Sequence, residues 1–223
     1  MPSVTQDIEA ARRFYSRISR VYDALADADE HRARELGLQL LGPRDGERVL
    51  EIGFGTGAAL VSLARAVGAR GRVLGVDIAE GMREVAQRRL EQAGVSSLVE
   101  IRVAAIPPIP ADDCMFDAAF MAFTLELFPD DAIPMVLRAV QRVLVRAGRL
   151  AVVAMDQGDD RHKEGLAGRT YRWLHHHFPH IVDCRPIDAA KRLSDAGFSV
   201  TRSETLEIWG LAVKVCLATN RME

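Results

Sequence analysis

The sequence predicts an α/β protein built on a doubly wound parallel sheet. Short apolar runs of strand length alternate with segments of helical spacing from position 48 to position 155. This alternation is typical of sheets whose parallel strands are joined by helices. A glycine-rich turn separates the first strand from the next helix, and two β-rich runs around Gly210 predict an antiparallel pair. We therefore expect a seven-stranded sheet with an antiparallel last strand and helices on both faces.

Each element has its own sequence signal. Apolar runs predict five buried strands, at 49–52, 73–77, 99–103, 116–123 and 149–155. Helical spacing predicts five helices, at 8–25, 30–41, 58–67, 81–93 and 130–145. The last of these helices is expected to end around Gly148, and segments 199–208 and 211–219 are expected to form the antiparallel pair.

Residues 8–25 have the pattern of an amphipathic helix. An apolar stripe that includes Phe14, Ile18 and Tyr22 is flanked by several arginines. Such a helix packs its apolar face against a core, whereas a basic amphipathic helix also binds anionic lipid headgroups. The sequence leaves both interpretations open: a helix that caps the core, or a peripheral contact with a membrane surface.

Composition restricts the class of protein. The 223 residues are enough for one domain with a substantial core. The net charge of −2 gives no field for a polyanion, so nucleic acid is not an expected partner. No apolar run reaches the roughly 18 residues of a membrane-spanning helix, and the first residues do not resemble a signal peptide. Three widely spaced cysteines predict reduced thiols, and these features together predict a cytoplasmic protein.

The turn after the first strand has the spacing of a ligand-binding loop. Residues 53–57 read Gly-Phe-Gly-Thr-Gly, and a strand, a glycine turn and a helix in this order bring backbone N–H groups against a ligand. A dinucleotide fingerprint has its third glycine one residue later. Glu51, before the turn, suits an ammonium group better than a pyrophosphate. Asp77 ends the second strand, where a carboxylate accepts hydrogen bonds from a ribose diol.

These motifs resemble those of the class I S-adenosylmethionine-dependent methyltransferases. The resemblance extends from Phe14 to Ala218, and its specific parts are V-L-E-I-G-F-G-T-G at 49–57 and G-V-D at 75–77. Within the class, the chain is similar to the ubiquinone/menaquinone-biosynthesis C-methyltransferases and to bacterial phospholipid N-methyltransferases. The resemblance implies a Rossmann-like fold, a single methyltransferase domain over 1–223, and S-adenosylmethionine as the cofactor.

The resemblance also assigns parts of the chain to the site. Residues 1–42 would form an N-terminal helical lid, and residues 156–190 an insertion that shapes the acceptor pocket. Family members usually hold the adenine with an Asp or Asn where this chain has Ala105. Here the backbone at Ala105 and Ile106 would supply the hydrogen bonds, and Ile78 and Ile106 would pack on the two faces of the adenine ring. In open α/β sheets ligands bind beyond the carboxyl ends of the strands, and the cofactor is expected to contact Tyr15, Glu51, Gly53, Gly55, Thr56, Gly57, Asp77, Ile78, Ala105, Ile106, Ala122 and Thr124.

The segment 171–180, which contains Tyr171 and four histidines, would bind the methyl acceptor. A nitrogen acceptor needs only a free lone pair, whereas a carbon acceptor needs a base that deprotonates an adjacent phenol or enol. His176, Tyr171 and Tyr22 are therefore the candidate catalytic residues, with exposed or helix-capping histidines as the alternative. Consecutive histidines lack the spacing at which one helical face binds a metal ion, so no metal site is expected.

The sequence thus predicts methyl transfer to a small hydrophobic acceptor, namely a quinone precursor, a lipid amine or a secondary metabolite. The alternative is a non-catalytic subunit that binds S-adenosylmethionine and acts through a partner. A nucleotide-dependent oxidoreductase is disfavoured by the early third glycine. The acceptor atom and the oligomeric state are left open.

Overall fold

The structure is a computed structural model, and it describes residues 27–157, 185–208 and 211–221. Within these ranges the helices are α1 (Asp27–Leu41), α2 (Ala58–Val67), α3 (Glu80–Gln92), α4 (Ile133–Val143) and α5 (Ala189–Asp195). The strands are β1 (Arg48–Ile52), β2 (Arg72–Asp77), β3 (Val99–Val103), β4 (Phe116–Ala122), β5 (Leu144–Met155), β6 (Ser199–Ile208) and β7 (Leu211–Thr219). Short 3₁₀ turns lie at Ser96–Leu98 and Leu125–Leu127.

The strands form one seven-stranded sheet in the order β3-β2-β1-β4-β5-β7-β6. Strands β1 to β5 are parallel, and β7 runs antiparallel between β5 and β6. The predicted doubly wound, Rossmann-like sheet with an antiparallel end is therefore confirmed. The chain order of the strands reverses between β1 and β4, and in such sheets ligands bind at this reversal, beyond the carboxyl ends of the strands.

Helices cover both faces of the sheet, as predicted. On one face, Ala33 of α1, Leu60 of α2 and Ala86 of α3 share a core with Phe120 and Val153 of the sheet. On the other face, α4 and α5 pack against the alternate side chains of the same strands. Because both faces are buried, the central strands read as continuous apolar runs and could be recognised in the sequence.

Helix α1 lies within the predicted lid, 1–42, but its apolar side chains are part of the core. Ala33 and Leu41 are buried. Arg149 of β5 donates hydrogen bonds to the carbonyl oxygen of Leu41 (3.0 Å) and to the carboxylate of Glu47 (2.6 Å), which ties the end of α1 to the sheet. Residues 1–26, with the predicted helix 8–25, lie outside the described residues, and the lid over 1–42 stays a prediction.

Strand β5 begins at Leu144, earlier than the predicted start at Arg149. Helix α4 ends there because Leu144 has an extended conformation and pairs with Phe116 of β4. The pairing register then shifts before it continues at Arg149, so the intervening residues are irregular. Gly148, the predicted end of the helix, lies inside this strand. The sequence also does not predict α5, because its seven residues are too few to show a helical period.

Candidate functional site

The glycine turn lies at the end of β1, where the strand order reverses. Its three glycines have φ angles of 75°, 51° and 80°, which L side chains rarely adopt. A Cβ at Gly53 would overlap the side chain of Thr124, and a Cβ at Gly57 would lie 2.8 Å from the Cβ of Ala86. Gly55, in contrast, has open space beside it. Two glycines thus allow the turn to pack closely, and the third leaves its backbone accessible to a ligand.

Asp77, at the end of β2, fixes the shape of this turn. Its Oδ2 accepts a hydrogen bond from the N–H of Gly55 (2.8 Å), and its Oδ1 accepts one from the N–H of Ala79 (2.9 Å). Burial raises the pKa of the Asp77 carboxyl, and the backbone N–H groups of Ala79, Gly55 and Ile78 oppose this effect. Each carboxylate oxygen can accept two hydrogen bonds. The ribose contact predicted from the sequence is therefore compatible with the bonds that hold the turn.

Glu51 is a buried carboxyl with an unpartnered oxygen. Its exposed fraction is 3%, and its Oε2 has no hydrogen-bond partner among the described residues. Burial raises the pKa of Glu51 well above its usual value, the positive charge of Arg34 on α1 lowers it, and the charge of Asp77 raises it. Because burying an unpaired carboxylate is costly, a cation bound beside Oε2 would stabilise the ionised form. The ammonium group of S-adenosylmethionine fits this requirement.

The other predicted cofactor contacts lie at the carboxyl ends of β2, β3 and β4. Ile78 and Ile106 are partly buried, whereas Ala105 is exposed. The Thr124 hydroxyl donates a hydrogen bond to the carbonyl oxygen of Ala122 (2.9 Å). The fold thus brings these strand ends to the same edge of the sheet as the glycine turn, and their contacts with the cofactor stay predictions.

The hydroxyl of Thr56, inside the glycine turn, is held from helix α3. Arg89 donates a hydrogen bond to Thr56 Oγ1 (2.8 Å), which joins the turn to the helix that follows β2. The Thr56 hydroxyl can still donate its own hydrogen to a ligand. Its predicted contact with the cofactor is therefore compatible with the structure.

The predicted catalytic residues cannot be placed, because their segments lie outside the described residues. The acceptor-pocket insertion 156–190 is described only at its two ends. There, Asp156 forms an ion pair with Lys214 (2.9 Å), and its backbone forms a parallel bridge with Ile187. The roles assigned to four residues stay predictions: Tyr15, Tyr22, Tyr171 and His176.

Glu126 is a second buried carboxyl at this edge, and it is not among the site residues predicted from the sequence. It lies in the 3₁₀ turn after β4, its exposed fraction is 2%, and its Oε1 accepts a hydrogen bond from the N–H of Met155 (3.1 Å). Its Oε2 has no hydrogen-bond partner in the described ranges. Burial raises the pKa of Glu126 to about 7; the backbone N–H groups of Glu126 and Met155 oppose this, and the charge of Glu30 adds to it.

The sequence contains one signal that points to Glu126, which is its position two residues beyond Thr124, after a predicted strand. Its neighbours obscure that signal. The run Leu-Glu-Leu-Phe-Pro-Asp-Asp at 125–131 has the composition of a surface turn. The surroundings of the carboxyl include the N–H of Met155 on β5 and the charge of Glu30 on α1, which are distant in the chain.

Some features of the described ranges concern other classes of site. No three His, Cys, Asp or Glu side chains in these ranges lie close enough together to bind a metal ion. None of the described helices combines the length and the apolar composition needed to cross a membrane. Cys114 is exposed, Cys216 is buried, and both are free thiols.

The fold and the site together define a class of protein. Residues 49–148, from β1 into β5, match a family model described as a methyltransferase domain. The sheet with its antiparallel end, the glycine turn and the acids on β1 and β2 agree with that match. These residues form a methyltransferase domain of the class I S-adenosylmethionine-dependent type, and S-adenosylmethionine is its cofactor.

Two curated methyltransferases are examples of the proteins to which the chain is similar in sequence. The chain is 31% identical to the 2-phytyl-1,4-naphthoquinone methyltransferase of Synechococcus elongatus, over 66% of the chain and 64% of that protein. It is 33% identical to a ubiquinone/menaquinone biosynthesis C-methyltransferase of Pseudomonas putida, over 77% of the chain and 66% of that protein. The chain thus spans slightly less than two thirds of the length of the curated relatives it matches.

Solved structures share the fold. A S-adenosylmethionine-dependent methyltransferase from Aquifex aeolicus has a TM-score of 0.64 at 23% identity, over 96% of this chain and 98% of that one. The 1,6-didemethyltoxoflavin-N1-methyltransferase of Burkholderia thailandensis, solved with 1,6-didemethyltoxoflavin and S-adenosylhomocysteine, has a TM-score of 0.73 at 16% identity. That match covers 100% of this chain and 92% of the other. Identities this low support the fold alone.

Proposed function

We propose that this chain transfers the methyl group of S-adenosylmethionine to a small hydrophobic acceptor, and that the acceptor is a quinone precursor in its reduced, hydroxyl-bearing form. The observation that carries the proposal is the buried Oε2 of Glu51, which has no hydrogen-bond partner in the described part of the chain and lies next to the glycine turn that Asp77 holds. The quinone class is supported by the names of the relatives, which refer to a naphthoquinone and to ubiquinone/menaquinone biosynthesis.

S-adenosylmethionine supplies a methyl group that its sulfonium already activates, so the task of the protein is mainly to align an acceptor. In this proposal Glu51 binds the ammonium group, Asp77 binds the ribose diol, and the open backbone at Gly55 lies against the ligand. The acceptor binds at the neighbouring strand ends, beyond β4 and β5. For a reduced quinone, a hydroxyl next to the reacting carbon must lose its proton before or during transfer.

The test is incubation of the purified protein with methyl-labelled S-adenosylmethionine and one of two acceptors. The first is 2-phytyl-1,4-naphthoquinone kept reduced by dithionite, and the second is vesicles that contain phosphatidylethanolamine. We expect mass spectrometry to find the label on the naphthoquinone ring. Label on the ethanolamine headgroup would instead favour the lipid amine, and binding of S-adenosylhomocysteine without transfer to either would favour the non-catalytic subunit.

A matched pair of variants links the result to the site. Glu51→Gln removes the buried carboxylate, and Glu100→Gln makes the same change in charge at an exposed position of β3. We expect the first variant to lose affinity for S-adenosylmethionine and the second to keep it. Equal affinity in both variants would contradict the assignment of Glu51 to the ammonium group.

A further inference from the structure

Glu126 has a position that the cofactor contacts do not explain. It follows β4 by a few residues and is hydrogen-bonded to the last residue of β5, Met155. Both strands end at the edge of the sheet where the fold binds ligands. Thr124, whose side chain lies beside Gly53 of the glycine turn, is two residues before Glu126. Glu126 is thus next to the predicted cofactor site, on the side of β4 that lies away from the ribose acid on β2.

Packing alone does not account for a carboxyl at this position. Its Oε1 accepts a hydrogen bond from the N–H of Met155, and a neutral amide oxygen would accept that hydrogen bond equally well. The second oxygen, Oε2, is buried and has no partner among the described residues. A buried carboxyl left half-satisfied costs free energy. Sites that retain such a group are frequently sites that use it.

We propose that Glu126 contacts the methyl acceptor through Oε2 and takes the proton of the acceptor hydroxyl, so that it selects acceptors with an O–H group next to the reacting carbon. This inference rests on the proposed function and adds a residue and a specificity to it. The hydrogen bond from Met155 fixes the orientation of the carboxyl, because Oε1 is held and Oε2 is left for the substrate.

The step balances without any oxidant or reductant. Glu126 takes the proton of the acceptor hydroxyl, and the electron pair left on oxygen makes the adjacent ring carbon nucleophilic. That carbon forms a bond to the methyl group, the methyl–sulfur bond breaks, and its electron pair stays on sulfur. The ring carbon then releases its hydrogen to solvent as a proton, and Glu126 returns its own proton to the oxygen. The products are the methylated hydroquinone, S-adenosylhomocysteine and one proton.

The charges around Glu126 suit a group that gains and loses a proton near neutral pH. Burial raises the pKa of Glu126 to about 7, and the charge of Glu30 on α1 acts in the same direction. From β5, the group packed against Glu126 is the backbone of Met155, and the next residue, Asp156, is paired with Lys214. A base whose pKa is near the working pH combines a substantial ionised fraction with a strong tendency to accept a proton.

The experiment compares the wild-type protein with Glu126→Gln and Glu126→Asp, and uses Glu100→Gln as the exposed control. Methyl transfer to dithionite-reduced 2-phytyl-1,4-naphthoquinone is measured from about pH 5.5 to about pH 9, and S-adenosylhomocysteine affinity is measured by calorimetry. Infrared difference spectra between wild type and Glu126→Gln report the protonated carboxyl of Glu126 directly, with and without the reduced quinone.

We expect Glu126→Gln to bind S-adenosylhomocysteine like the wild type but to transfer the methyl group about 100-fold more slowly, the scale of a lost proton acceptor. The wild-type rate should rise with pH around a midpoint near 7, and this dependence should disappear in Glu126→Gln and return in Glu126→Asp. The carboxyl band should shift when the reduced quinone is added. An unchanged rate and pH profile in Glu126→Gln would overturn the inference, as would a parallel loss of cofactor affinity.

The infrared measurement separates this inference from the proposed function. If wild-type protein binds S-adenosylhomocysteine but does not methylate the reduced quinone, the proposed function fails for this acceptor. A quinone-dependent shift of the Glu126 band would then still support its contact with the hydroxyl-bearing ligand. If the quinone is methylated but the Glu126 band does not respond to it, the inference fails and the proposed function stands.

Discussion

Replacing Glu126 by glutamine should change the pH dependence of folding stability, even without any ligand. The carboxyl is buried, and its pKa is raised from 4.5 to about 7, chiefly by burial. Between these two pH values the folded protein keeps the proton that the unfolded chain has released. The free energy of unfolding therefore falls as the pH rises through this interval, because the unfolded state binds fewer protons than the folded state.

The size of the effect follows from the two pKa values. The difference between 4.5 and about 7, at about 1.36 kcal/mol for each pH unit, corresponds to about 3 kcal/mol. Wild-type protein should lose this stability between about pH 4.5 and pH 7. Above pH 7, Glu126 should cause no further change in the free energy of unfolding. Glu126→Gln does not titrate and keeps an acceptor oxygen for the N–H of Met155, so the loss should be absent.

The assay is urea unfolding followed by circular dichroism across this pH range, for wild type, Glu126→Gln and the exposed control Glu100→Gln. The slope of the unfolding free energy with urea should be the same in all three, so that midpoints can be compared. Relative to wild type, Glu126→Gln should gain about 3 kcal/mol between the acid and the neutral end. A difference between the two proteins that stays constant with pH would refute the reasoning.

Three further predictions concern the cofactor. Asp77→Ala should weaken S-adenosylhomocysteine binding by about 1.5–3 kcal/mol. Asp77→Asn should weaken binding less, because one oxygen remains to accept a hydrogen bond from Gly55 or Ala79. If calorimetry finds wild-type affinity in folded Asp77→Ala, the ribose binds elsewhere. Ionisation of Glu51 by the bound ammonium should release a proton, so calorimetric heats should depend on the buffer in wild type and not in Glu51→Gln. Truncation to residues 27–223 should abolish methyl transfer and preserve the fold. In the full chain, hydrogen exchange of the amides in 8–25 should slow when S-adenosylhomocysteine binds. Full activity of the truncated protein would contradict the lid prediction.

The features that could be predicted from the sequence have local causes. The glycine turn is recognisable because residues with positive φ must be glycine where a Cβ would collide with a neighbour, as at Gly53 and Gly57. The central parallel strands are recognisable because both faces of the sheet are covered, which makes these strands largely apolar. Asp77 stands at the end of such a strand, so its place at the edge of the sheet could be inferred before its hydrogen bonds were known.

The features that could not be predicted have causes distant in the chain. The early start of β5 depends on pairing of Leu144 with Phe116, and the local sequence there continues the helical pattern. The environment of Glu126 is set by the backbone of Met155, which donates a hydrogen bond to it, and by the charge of Glu30, almost one hundred residues before it. Its carboxylate therefore could not be recognised as buried from the local sequence.

The two buried carboxyls, Glu51 and Glu126, differ in the charges around them, and this difference assigns them different tasks. Burial raises the pKa of Glu51 and the charge of Asp77 adds to this, but the guanidinium of Arg34 opposes both by favouring the ionised form, which suits a residue that binds a cation. Glu126 lies near another carboxyl, Glu30, which favours the protonated form and suits a residue that accepts a proton and keeps it. The cation of the cofactor and the hydroxyl of a reduced quinone are a pair of ligand groups that match these two environments. In the proposed mechanism, the buried acid at the end of β1 thus binds the cofactor, and the one after β4, the adjacent strand, contacts the acceptor.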